Sequence, residues 1–150
     1  MKKNWVMLLS LVLLVLPLVS SMSLEMKDSF GQEETLMAKI SGDLISPPLR
    51  ENIFLYRGHV KVAIDAYVAK INEDYYIYAP LSGKAPLNYS LVIKGIEYTK
   101  GTKKISEDLI KNFTVREDYA PFAITPGFVV SKNDFTITLE NFLDDDLELT

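Results

Sequence analysis

From about residue 24 onward, apolar positions recur every second residue rather than at helical spacing, which predicts strands separated by turns. Residues 35–40, TLMAKI, place Leu36, Ala38 and Ile40 on one face. Pro47-Pro48 rule out continuation as a central strand, because proline cannot donate to a sheet ladder. Residues 53–56 predict the next strand. Arg57-Gly58-His59 predict a turn, since Gly58 can take the positive φ of a tight hairpin. Val60, Val62 and Ile64 share one parity, whereas Tyr67, Ala69 and Ile71 share another after Asp65. Such a one-residue slip predicts a bulge or a strand break. Asn72-Glu73-Asp74 predict a second turn. Tyr75, Ile77, Ala79 and Leu81 then alternate with Tyr76 and Tyr78.

Residues 82–88 read as a loop and residues 89–93, YSLVI, as a strand. Residues 100–108, KGTKKISED, read as a polar loop. Residues 109–115 close the set as a strand, or their approach SEDLI forms one helical turn capped by Ser106 with Glu107 and Asp108 in its first turn. About seven strands in roughly 90 residues is the size of one sandwich domain. Residues 116–122, REDYAPF, read as a linker. The pattern then restarts: Pro126-Gly127 predict a turn, Phe135, Ile137 and Leu139 face one way, Asp144 to Asp146 turn again, and LELT opens another strand. Two or three strands do not make an independent sandwich. The tail is expected to be the start of a second, incomplete β module of a longer protein; packing on the first domain or completion by a partner are the other options.

The N-terminus has a different pattern. Lys2 and Lys3 precede an apolar run over residues 5–19, and small residues follow at Ser20, Ser21 and Ser23. This is the layout of an export signal, with cleavage after Ser21 or Ser23. A spanning helix needs about 20 apolar residues, so the run is short for an anchor. If it stays uncleaved, it is the one contact with the membrane. The expected organisation is a signal peptide at 1–23, a β-sandwich at 24–116, a linker at 117–125 and a partial second module at 126–150. The expected location is secreted or at the cell surface.

Composition removes several chemistries. The chain has 150 residues and no cysteine, so disulfides, thiolate metal sites and cysteine nucleophiles are excluded. Residues 24–116 carry 13 basic and 12 acidic side chains, while residues 117–150 carry Lys132 against eight acids. Neither part has the basic excess that nucleic-acid binding requires.

The segment PLNYSLVIKGIEY resembles the late strand of prokaryotic immunoglobulin-like modules. In that resemblance Tyr89 is similar to the tyrosine-corner residue, whose hydroxyl ties the preceding loop to the strand. Residues 51–81, ENIFLYRGHVKVAIDAYVAKINEDYYIYAPL, look like the central hairpins of such modules. ITPGFVVSKNDFTITLEN, at 124–141, is similar to the opening of another. The resemblance implies an immunoglobulin-like antiparallel β-sandwich engaged in surface display, adhesion or spacing, with no catalytic residue. Its partners would be neighbouring β modules or a surface polymer or glycan.

Candidate chemistry is sparse. His59 is the only histidine and so the best single acid–base group, but a triad needs more members, and as a hairpin residue it reads as exposed. Asp144, Asp145 and Asp146 supply the hard oxygens calcium prefers, yet contiguous acids point in different directions, so a solvated turn is the expectation and no metal is assigned. Tyr76 and Tyr78 share an outward strand face on which sugar rings could stack, with Tyr56 and Tyr98 as further members. Asn88-Tyr89-Ser90 and Asn112-Phe113-Thr114 match the N-glycosylation acceptor pattern. Lys94, Lys100, Lys103 and Lys104 cluster around one loop, as a solvated surface or a contact for anionic polymer. The leading expectation is a structural or adhesive module without a cofactor. A carbohydrate-binding face at Tyr76 and Tyr78 comes second, and a hydrolase a distant third.

Overall fold

The computed structural model describes residues 22–143. Residues 1–21 of the expected export signal and the expected turn at Asp144 to Asp146 lie outside that range. The regular structure of the described chain is strand apart from a short 3₁₀ turn at Arg50–Asn52. One sheet contains β1 (Ser23–Met26), β3 (Thr35–Ser41), β7 (Asp74–Pro80) and β6 (Tyr67–Ile71), in that order. A second contains β2 (Ser29–Gln32), β9 (Lys103–Tyr119), β8 (Asn88–Lys100), β4 (Ile53–Arg57) and β5 (Val60–Val62). Pairing is antiparallel throughout except for β2 against β9.

Alternation explains the core. Leu36, Ala38 and Ile40 of β3 and Ile77 and Ala79 of β7 join Leu55, Leu91, Ile93, Phe113 and Val115 of the other sheet in one buried cluster. Burying a single Leu or Ile contributes about 1.5–3 kcal/mol. The two sheets therefore hold each other through their facing sides, and the intervening positions of each strand turn to the outer surface.

Both hairpin turns form where they were predicted. Gly58-His59 join Arg57 to Val60, with Gly58 at φ 58°. Asn72-Glu73 join Ile71 to Asp74, with Asn72 at φ 56°. Asn tolerates this left-handed region better than most residues. The parity slip near Asp65 is a strand break: β5 belongs to one sheet and β6 to the other, and the chain crosses between them past the buried Ala66.

Residues 100–108 differ from the expectation. They are no loop, and SEDLI makes no helical turn. β8 and β9 are one long hairpin whose turn is only Gly101-Thr102, between Lys100 and Lys103. The cause is a bulge. Ile93 pairs with Leu109 and Ile96 with Glu107, so Lys94 and Gly95 together oppose Asp108. Gly95 takes φ 64°, and its N–H donates to Asp108 Oδ1 at 2.9 Å. The extra residue resets the parity, so Ile93 and Ile96 both point into the core although three positions apart. A reading based on strict alternation stops at Ile93.

Residues 116–119, expected as linker, extend β9 to Tyr119. Gln32 Nε2 donates to the Glu117 carbonyl at 2.6 Å, and the Ala120 N–H donates to the Gln32 carbonyl at 2.9 Å. The tail then folds back as β10 (Phe122–Thr125) paired with β11 (Thr138–Asn141). Phe135 and Ile137, read as strand, precede β11 and are exposed. The tail packs on the first sheet: Thr35 Oγ1 donates to the Ile124 carbonyl at 3.1 Å, and the Phe128 ring meets Tyr78.

Candidate functional site

Two outer faces hold some of the residues singled out above. On the first sheet, β7 turns Ile77 and Ala79 inward and Tyr76 and Tyr78 outward, as its alternation requires. The outward position does not leave Tyr78 open. It is only 7% exposed. Tyr67, its cross-strand neighbour on β6, stacks on it with centroids 4.7 Å apart and planes 9° from parallel. The Phe128 ring stands edge-on to Tyr78 at 5.0 Å and to Tyr76 at 6.5 Å. Burial, with Tyr67 adding to it, pushes the Tyr78 phenol above its ordinary pKa. A ring that already stacks on a neighbour offers little surface to a sugar. Tyr76 remains half-buried beside Lys39, which Asp74 engages at 3.0 Å. The hydrogen bond to Asp74 holds the Lys39 ammonium above its usual pKa.

Tyr56 and Tyr98 do not join that face. Both belong to the second sheet, where Tyr56 is half-buried on the outer side and Tyr98 packs into the core. The Tyr98 hydroxyl donates to Glu107 Oε1 at 2.8 Å. That bond, aided by burial, raises its pKa.

The outer face of the second sheet is the richer surface. The register across β4, β8 and β9 aligns Phe54, Val92 and Ile110 in one row, and Tyr56, Ser90 and Asn112 in the next. Ile110 is 62% exposed. The Lys61 ammonium lies 3.9 Å from the Phe54 ring centroid, and the Lys94 ammonium lies 5.3 Å from it. Neither lysine has an ion-pair partner among the described residues. Exposed contacts of this kind contribute about 0.5–1 kcal/mol. Sequence reasoning missed this cluster. Half of it had a signal: the two-residue turn at Gly58-His59 forces Lys61 opposite Tyr56 and thus beside Phe54. Lys94 had none, because its place depends on the pairing of β8 with β4.

Asn88 and Asn112 lie one row apart on the same face, exposed, beside an open depression of about 450 Å³. Lys100, Lys103 and Lys104 gather at the β8–β9 turn, with Lys104 engaged by Glu97 at 2.8 Å, while Lys94 sits apart at the bulge. His59 is exposed at the β4–β5 tip. The Tyr89 ring is buried and stacks on Phe113 at 5.8 Å, which in turn meets the edge of Phe30 at 5.3 Å. The Tyr89 hydroxyl donates to the Ala85 carbonyl at 3.0 Å. This ties the loop before β8 to the strand. The arrangement offers stacking, hydrogen bonding and positive charge over a broad surface. No family model matches the chain, and no curated protein compared with it matches.

Proposed function

We propose that the chain is an exported immunoglobulin-like module with a structural or adhesive role at the cell surface and no catalytic activity of its own. The strand order carries the reading. Immunoglobulin domains place strands A, B, E and D on one sheet and G, F and C on the other, with C′ added in the variable type. Lettered in chain order with the first strand split between sheets, β1-β3-β7-β6 corresponds to A-B-E-D. In the same lettering β9-β8-β4-β5 corresponds to G-F-C-C′. Tyr89 near the start of the F-equivalent, bonded upstream to Ala85, fits the tyrosine corner. Leu91, two residues on and fully buried, stands where antibody domains carry the second cysteine.

The partners in this reading are a neighbouring β module or a surface glycan polymer. Val130, Phe135, Ile137 and Leu143 are exposed along the tail, and a following module would cover such residues. The alternative, a carbohydrate site at Tyr76 and Tyr78, is weakened because Tyr67 and Phe128 already occupy Tyr78.

β1 bears on the processing site. Met22 packs against the core and against Gly42, and Ser23 already pairs with Ser41. Cleavage after Ser21 keeps these contacts, and cleavage after Ser23 removes them. The reading is tested by protease treatment of intact cells, followed by intact-mass measurement of the surface fraction. The expected product is accessible from outside and begins at Met22. Protein held in the cytosol at unprocessed mass refutes export.

A further inference from the structure

The triplets Asn88-Tyr89-Ser90 and Asn112-Phe113-Thr114 run in opposite directions on neighbouring strands. The β8–β9 register sets Asn88 opposite Thr114 and Ser90 opposite Asn112. The Thr114 hydroxyl donates to Asn88 Oδ1 at 2.8 Å, and the Ser90 hydroxyl donates to Asn112 Oδ1 at 2.8 Å. Each triplet's hydroxyl is therefore held by the other's asparagine. The middle residues, Tyr89 and Phe113, turn inward and stack, which points all four polar side chains outward. In both bonds the asparagine uses its carbonyl oxygen. Nδ2, the atom that carries an N-linked sugar, has no partner among the described residues.

We propose that Asn88 and Asn112 are paired N-glycan acceptors, modified before β8 meets β9, with both glycan stems rising from the outer face of the second sheet. This rests on the export reading, because the sugar donor acts on the far side of the membrane. In the transfer, Asn Nδ2 attacks C1 of the first sugar of a polyprenyl-diphosphate-linked oligosaccharide. The C1–N bond forms and the C1–O bond to diphosphate breaks. The lipid diphosphate leaves with the electron pair, and the amide proton passes to a basic group of the transferase. No atom changes oxidation state beyond this substitution.

The order of events follows from the folded geometry. The hydroxyl two residues after the asparagine is part of the acceptor signal. In the sheet that hydroxyl is engaged by the partner triplet. β8 lies between β9 and β4, and β9 between β2 and β8, so neither triplet can enter an enzyme cleft without opening the sheet. Attachment is compatible with later folding, because N-substitution leaves Oδ1 able to accept both cross-strand bonds. Diagonal same-face positions on adjacent strands lie roughly 7–8 Å apart. The two stems would stand side by side over the depression and shield Tyr56 and Ser90.

The test offers the full chain to an oligosaccharyltransferase and its lipid-linked donor in two states. One is folded, purified protein. The other is the chain in transit into vesicles that contain both enzyme and donor, carried by a leader the vesicles are known to import. Intact mass and peptide mapping read occupancy. The expected result is a glycan at both sites on the translocating chain, one fewer in Asn88→Gln and in Asn112→Gln, and none on the folded protein. Ser90→Ala should abolish modification at Asn88, and Thr114→Ala at Asn112. Translocated chain with no glycan, or with one site only, overturns the pairing; equal transfer to folded protein overturns the order. A parallel import with the chain's own leader separates the two readings. Failed export leaves unprocessed chain outside the vesicles, whereas failed glycosylation leaves translocated, unmodified chain inside.

Discussion

Gly31 lies inside β2, where the register against β9 is irregular: Phe30 pairs with Val115 and Gln32 with Tyr119. A Cβ built on it would stand 2.7 Å from the Ala120 amide nitrogen and 3.1 Å from Ala120 Cα. The obstacles are backbone atoms, which cannot rotate away as a side-chain tip could. The flanking bonds are also close: Gly31 N–H donates to Glu34 Oε2 at 2.8 Å, and Ala120 N–H donates to the Gln32 carbonyl at 2.9 Å. Gly31→Ala must therefore push β2 from β9. Overpacking costs typically about 1–3 kcal/mol, and weakening one backbone bond adds about 1 kcal/mol. Reduced freedom of the unfolded chain offsets roughly 0.4–1 kcal/mol. The net expectation is a loss of about 1–3.5 kcal/mol. With a urea m-value of about 2 kcal/mol/M, the unfolding midpoint falls by about 0.5–1.8 M. Equilibrium urea unfolding followed by tyrosine fluorescence measures this, and amide exchange in β2 locates it. A midpoint unchanged within the error of about 0.5 kcal/mol would mean that β2 does not lie against β9 as described, and the split first strand would go with it.

Three further outcomes follow from the same contacts. Tyr89→Phe should cost only about 0.5–1 kcal/mol, because the Ala85 carbonyl it abandons is on an exposed residue and water can replace the hydroxyl; Tyr89→Ala should cost about 3–5 kcal/mol in the same unfolding assay. Phe128→Ala should uncover Tyr78, lowering its phenol toward the ordinary value of about 10 in an ultraviolet phenolate titration. Limited proteolysis should also cut the tail faster. Tyr98 and Tyr78 have phenols raised by folding, so the stability they contribute is complete below about pH 10, the unfolded value, and is lost as pH rises through their folded pKa values. Tyr98→Phe should accordingly flatten the alkaline fall in thermal midpoint without abolishing it, and an unchanged slope would show that the Glu107 bond does not raise Tyr98.

The turns and inward faces were legible because they are local. Gly58 and Asn72 mark hairpins by what their own backbones tolerate, and Leu36, Ala38, Ile40, Ile77 and Ala79 declare a buried side through spacing alone. The candidate surface was half legible. The outward orientation of Tyr76 and Tyr78 could be read from alternation; the Phe128 ring that covers Tyr78 arrives from a tail the pattern assigned to a separate unit. Asn88 and Asn112 were recognisable as acceptors one at a time, but not as a pair.

By itself, then, the sequence determined that the chain is built of strands, which side of several of them is apolar, and where two of its hairpins turn. A period of two is written in each strand's own residues. The tertiary structure alone decided that β2 lies parallel to β9, that β8 continues through a bulge, that residues 103–108 are strand, and that the tail returns to the first sheet. Backbone N–H and C=O groups are alike at nearly every position, so the choice of partner strand leaves little mark on composition. It is settled by which distant apolar faces can be buried together.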